Sequence, residues 1–248
     1  MMEKRQVFIN AIMVVIQIVV VSVVLIFLYR FLLDTIGVEQ LGIWSIVLAT
    51  TSLTQVANLG LSGGVVKFVA KYISREESEN VSGVIQTATL SVATFVGVIL
   101  LVSYPVIKLL LGLVIPNESL SLALAILPYA LVSLWIMLVS SIFQAGLDGY
   151  QRFDIRSLLL MGGAIIHLLL CFVLAPTYGL IGVAYARVVQ NIVMLLGSWV
   201  LLRRYLPVLP FFPCSWDRKI FREIIGYGVN FQIISVAIML YDPITKGL

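Results

Sequence analysis

Arg187 is the side chain of this sequence best suited to chemistry, because it stands about eight residues into an apolar run that is otherwise free of charge. A guanidinium at that depth costs a few kcal/mol on insertion scales, and at about 1.5 Å per residue it lies roughly 12 Å from the start of its helix, which allows partial snorkelling. An ion pair would offset the cost, but all twelve Asp and Glu residues fall in connecting segments or at the ends of apolar runs. A cation with five fixed donors and no acidic partner suits an anionic ligand such as a phosphate or pyrophosphate, gripped in a bidentate way.

Arg187 does not stand alone. With Gln190, Asn191, Met194 and Ser198 it recurs at helical spacing, so one face of its helix is polar. Two other apolar runs repeat the pattern: Thr51, Gln55, Asn58 and Ser62 in one, and Ser133, Met137, Ser140 and Gln144 in another. Ser, Thr and Gly on such faces commonly serve helix packing. Gln55, Asn58, Gln144, Gln190, Asn191 and Arg187 are costly in that role, and together they point to a hydrated cavity between helices. Lys67 and Lys71 share a face one turn apart and either draw an anionic headgroup inward or simply anchor the helix end. His167, the only histidine, is read as a hydrogen-bonding residue between helices, with a proton relay as the other use. Cys171 and Cys214 have no His or Cys at metal-ligand spacing, so neither a metal site nor a cofactor is read.

The elements that hold these residues follow from composition. Of 248 residues 61% are hydrophobic and 11% charged, against about a quarter charged in soluble domains. That excludes a soluble enzyme and a nucleic-acid-binding domain, and the continuous apolar runs argue against a barrel. Charge-free windows at 6–29, 40–66, 80–107, 119–147 and 157–186 each exceed the spanning threshold, and further spans are read at about 179–202 and 224–241. The fold expected is an all-α, polytopic transmembrane bundle of about seven spans. With the N-terminus in the cytoplasm, twelve of the sixteen Lys and Arg fall on the inner side, so the chain is placed in the plasma membrane in that orientation. Ser74-Arg75-Glu76-Glu77 fits a capping box, Pro207, Pro210 and Pro213 mark an extended connector, and 215–223 reads as a capped surface helix. That cationic surface segment is read as a solvated connector, with lipid headgroup contact as the other possibility.

Several segments carry a family resemblance: Ile36-Gly37-Val38-Glu39-Gln40-Leu41-Gly42-Ile43-Trp44, Ala57-Asn58-Leu59-Gly60-Leu61-Ser62-Gly63-Gly64 through Tyr72, Gly179-Leu180-Ile181-Gly182-Val183-Ala184-Tyr185-Ala186, and Tyr241-Asp242-Pro243-Ile244-Thr245-Lys246. With these the chain resembles the polysaccharide flippase branch of the multidrug, oligosaccharidyl-lipid and polysaccharide exporter superfamily. The resemblance implies two similar lobes around a cavity, moving an undecaprenyl-pyrophosphate-type oligosaccharide across the plasma membrane by alternating access. The lipid-linked oligosaccharide, membrane lipids and other polysaccharide-assembly membrane proteins are the implied partners, and no enzymatic step is implied. Arg187 matches the family's cavity cations, with Arg30 and Lys67 as weaker matches near span ends. The organisation expected is a six-helix lobe over 1–204, a connector over 205–223, and the first helix of a truncated second lobe over 224–248. A peptidoglycan-precursor flippase or multidrug exporter of the same superfamily is the alternative. From other classes, a membrane-embedded glycosyltransferase or polymerase and a non-transporting scaffold stay open.

Overall fold

The computed structural model describes residues 4–52 and 59–228. It is helical throughout: α1 (Lys4–Ser52), α2 (Leu59–Ile73), α3 (Ser78–Val114), α4 (Asn117–Gly149) and α5 (Phe153–Tyr205), followed by α6 over 218–228. Among the described residues, α1, α3, α4 and α5 are long and apolar enough to cross a membrane. Their outward faces carry Ile, Leu, Val and Phe, such as Ile26, Leu101 and Val173, as hydrocarbon contact requires. The seventh span expected at 224–241 lies outside the described residues beyond 228.

Two of the long helices are broken by glycine. Gly37 in α1 has φ +80° and Gly179 in α5 has φ +58°, a region other residues enter only with strain. A Cβ on Gly37 would meet nothing within 4 Å, so that position needs glycine for its backbone angle and not for space. In α5 the break is a reversal, because a Cβ on Gly182 would strike the carbonyl oxygen of Leu174 eight residues earlier. The two breaks lie together: the Leu180 amide donates to Gln40 Oε1 at 3.2 Å. Ser119 at the start of α4 donates to Glu39. At the opposite end of the bundle Asn10 donates to the Gln151 carbonyl (2.8 Å) and accepts from the Asp154 amide (3.3 Å). Gly149 meets Val69 at that same end, and Arg152 lies over the Tyr205 ring. Following these contacts, α1 up to Gly37, α3, α4 and each of the two arms of α5 run from one end of the bundle to the other. The segment 30–39, expected as a connection, is helical up to Gly37 and again beyond it.

Helix α4 is the most enclosed, with Ile126, Leu127, Ile142 and Leu147 fully buried against its neighbours. The capping box expected at Ser74 to Glu77 does not form. Ser74 Oγ turns back to the Lys71 carbonyl (2.7 Å), Glu76 takes φ +59°, and α3 starts one residue after Glu77. The surface helix begins at 218 and not at 215, because Asp217 caps it: its Oδ1 accepts from the amides of Lys219 (2.6 Å) and Ile220 (3.1 Å).

Candidate functional site: a half-polar cavity at the centre of the bundle

A cavity of about 960 Å³ opens between α1, α2, α4 and both arms of α5. Its apolar wall is Val21, Val24, Leu25 and Leu28 of α1. Its polar side is assembled from three elements by the helical spacings already noted. Met137, Ser140 and Gln144 come from α4, Ser62 and Gly63 from α2, and Arg187, Gln190, Asn191 and Met194 from the second arm of α5.

Each polar residue has a defined setting. Arg187 Nη1 donates to Gln190 Oε1 at 2.9 Å, one helical turn away, and among the described residues no carboxylate pairs with it. Asn191 donates to the Ser133 carbonyl at 2.9 Å, which locks the second arm of α5 onto α4. Gln144 donates to Ser140 Oγ (3.0 Å), and Ser140 faces Ser198 (3.2 Å). Ser62 lies 3.4 Å from Ser141 and joins α2 to α4. Ser133 and Ser198 continue the stripes but are buried in helix packing and do not line the cavity.

Among the lining residues that sequence did not single out for the cavity are Gln17, His167, Asp148 and Arg156. Gln17 of α1 accepts from Ser157 (2.9 Å) at the end of the cavity away from Gly179. His167 lines the cavity as well, with its ring 3.8 Å from Cys171 Sγ and against the Ala186 backbone of the facing arm. Asp148 and Arg156 close the same end as Gln17. Asp148 stands at the end of its span, as expected, yet its carboxylate faces the cavity, where it pairs with Arg156 at 2.7 Å. Its side chain is 11% exposed, and Asp148 Oδ1 and Arg156 Nε are buried with no partner. Just outside, Arg152 grips Asp154 with two nitrogens (3.0 and 2.9 Å), and that hydrogen bonding raises the guanidinium pKa above its ordinary value.

The other sequence candidates lie elsewhere. Arg30 is exposed on α1 and does not line the cavity. Lys67 is exposed too, its ammonium 3.9 Å over the Tyr227 ring of α6, although its neighbour Val66 lines the cavity. Gln55 and Asn58 lie outside the described residues. Among the described residues no cluster of three metal-ligating side chains occurs.

The MatE family model matches residues 6–173, more than half of the chain. The chain belongs to the MatE family. Solved structures share the fold across almost its whole length. A multidrug resistance MATE transporter of the MOP superfamily in an outward-facing conformation aligns with TM-score 0.73 and 18% identity, covering 94% of this chain and 54% of that one. A MATE in complex with MaD3S gives TM-score 0.75 and 18% identity over 96% and 55%. A MOP superfamily transporter from Pyrococcus furiosus Vc1 (DSM3638), described as having a binding pocket of reverse polarity that suggests a different function, gives 0.71 and 17% over 94% and 54%. The chain therefore spans about half the length of these structures, and the likeness is one of fold. No curated protein sequence matches it. The sequence resemblance pointed to a polysaccharide flippase branch, whereas these neighbours are described as MATE and MOP transporters and none of them is named as a polysaccharide flippase.

Proposed function

We propose that this chain forms one lobe of a multi-pass membrane exporter of amphipathic organic solutes, working by alternating access with a second lobe of the same kind. The lobe is assigned to 1–204, the connector to 205–223 and the start of the second lobe to 224–248, with the N-terminus in the cytoplasm. The observation that carries the reading is the cavity itself. About 960 Å³ is in the range of drug-sized binding sites, roughly 300–1,000 Å³, and its apolar α1 wall faces a polar wall centred on Arg187.

Charge refines the substrate. The charged groups lining the cavity are Asp148, Arg156 and Arg187, and Asp148 is already spent on Arg156. Arg187 is left over, which favours solutes carrying an anionic group over cationic ones. Flipping of a lipid-linked oligosaccharide is the second reading, because the same guanidinium suits a pyrophosphate; Gln190 and Asn191 would then meet the sugar, and polysaccharide-assembly proteins would be the partners.

Competition binding separates the readings. The purified chain is titrated with an anionic and a cationic amphipathic dye, read by fluorescence anisotropy, and each is displaced with a prenyl pyrophosphate. Binding of the anionic dye that falls about tenfold or more in Arg187→Ala supports the exporter reading, and strong displacement by the pyrophosphate supports the lipid-linked one. Equal binding of both dyes, unaffected by Arg187→Ala, overturns the charge assignment.

A further inference from the structure

The connector between α5 and α6 is held far more firmly than a solvated linker needs. Helix α3 presents a buried polar patch, Gln86, Thr87 and Ser91, each 9% exposed or less. Gln86 Oε1 accepts from the amides of both Cys214 and Ser215 at 3.1 Å, and its own nitrogen donates to Ser82 Oγ. Thr87 Oγ1 accepts from the Asp217 amide (3.2 Å) and Ser91 Oγ from the Trp216 indole (3.1 Å). Upstream, Leu206 and Leu209 are sunk into the core at 1% and 2% exposure. A strap with three prolines and its apolar anchors already used cannot fold its remaining side chains inward.

What it leaves outside is large and apolar: Phe211 and Phe212 are 65% and 78% exposed, and Trp216 is 48% exposed. Cations surround them. Arg203 in the last turn of α5 lies 4.0 Å over the Phe211 ring, and Arg204, Arg218, Lys219 and Arg222 make no ion pair among the described residues. The acidic groups near them are Asp217, spent on the α6 cap, Glu223, and Glu77 of the turn before α3, which meets Glu223 and Asp217 around Tyr72. The strap leaves α5 at a last turn carrying Arg203 and Arg204, the kind of cationic helix end that marks a membrane boundary, and runs from there along α3.

We propose that the strap and the first turn of α6 form a docking face for the anionic headgroup layer of the bilayer. The aromatic rings enter the boundary between headgroups and acyl chains, where Trp and Phe are favoured, and the cations take the lipid phosphates. The second lobe is the other surface able to cover the rings, but it would have to bring acidic groups to match these cations, whereas an anionic leaflet supplies them everywhere. The pinning to α3 makes the contact consequential: lipid that holds the strap also holds α3 and the entry to whatever follows α6. This assignment does not depend on what the cavity carries.

The test uses the full chain in lipid nanodiscs with a nitroxide on Cys214. That thiol is exposed, whereas Cys171 is fully buried and does not compete for the label. Collision with oxygen and with a water-soluble nickel complex reports depth. In discs containing phosphatidylglycerol the label should sit at or below the phosphates, by up to about 5–10 Å, and it should move outward in pure phosphatidylcholine. Replacing Arg204, Arg218, Lys219 and Arg222 together by Gln should abolish the lipid difference, and Phe211→Ser with Phe212→Ser should bring the label to water in both discs. A label equally open to the nickel complex in both lipids overturns the proposal. So does a label shielded from both reagents regardless of lipid, which would mean that protein covers the strap. The lipid comparison on the unsubstituted chain decides the matter even if a variant fails to fold.

Discussion

The amide of Leu180 donates to Gln40 Oε1 across 3.2 Å, so the two glycine breaks of the chain, separated by about 140 residues in sequence, share a hydrogen bond. This contact sets the level at which α1 and α5 both change direction, and therefore the register in which Arg187 faces the α1 wall.

Substitution at the breaks tests that arrangement. Gly37→Ala should destabilise the folded chain by about 1–3 kcal/mol from backbone strain alone, since nothing crowds the new methyl group. Gly179→Ala should cost a similar amount, while Gln40→Ala should cost about 1 kcal/mol through loss of the shared bond. Thermal unfolding in detergent should rank all three below wild type, and an unchanged midpoint for Gly37→Ala would argue against the break.

Close packing around α4 gives a second expectation. A Cβ at Gly149 would overlap Val69, and one at Gly146 would stand 2.8 Å from Leu202 Cδ2, so alanine at either should cost roughly 1–3 kcal/mol. Gly162, with nothing within 4 Å, should accept alanine without loss on the same measurement.

The Asp148 to Arg156 pair gives the third. Because Arg156 is 40% exposed, the coupling between the two should be modest, about 1 kcal/mol in a double-mutant cycle. Arg156→Gln alone should be the worse single change, as it leaves the more deeply buried Asp148 carboxylate without its counter-charge, whereas the part-exposed guanidinium left by Asp148→Asn can reach water. Equal stability of all four species in the cycle would show that the pair is not formed.

Release of the strap gives the fourth. Gln86→Leu removes the acceptor shared by Cys214 and Ser215, so limited proteolysis within 206–217 should accelerate several-fold while the α1 to α5 bundle stays resistant. No change in cleavage would mean that Thr87 and Ser91 suffice.

How much of this was legible in the sequence depends on whether the signal was periodic. Arg187, Gln190, Asn191 and Met194 recur at helical spacing and all line the cavity, as do Met137, Ser140 and Gln144. Ser133 and Ser198 obey the same spacing but end in packing, because helix spacing gives a face and cannot say where a neighbouring helix closes over it. His167 was read as an interhelical hydrogen bonder, and its place on the cavity wall depends on the fold-back at Gly179, which the charge-free window 157–186 runs straight through. Gln86, Thr87 and Ser91 lack a stripe of their own and acquire a role only when the connector lies on them. Asp148 looked like an ordinary span end, since nothing local reveals that the turn after it aims Arg156 back at the cavity.

The proposed function requires that water and an anionic amphiphile reach Arg187. It is tested most directly by Ala164→Cys in a Cys214→Ser background, since Ala164 lines the cavity and Cys171 is fully buried. A small hydrophilic thiol reagent should label Ala164→Cys at least tenfold faster than Leu131→Cys, whose position is 7% exposed. An anionic amphipathic dye should slow that labelling when Arg187 is present and leave it unchanged in Arg187→Ala. Labelling of Ala164→Cys no faster than that of Leu131→Cys, or protection that survives the loss of Arg187, would contradict the account.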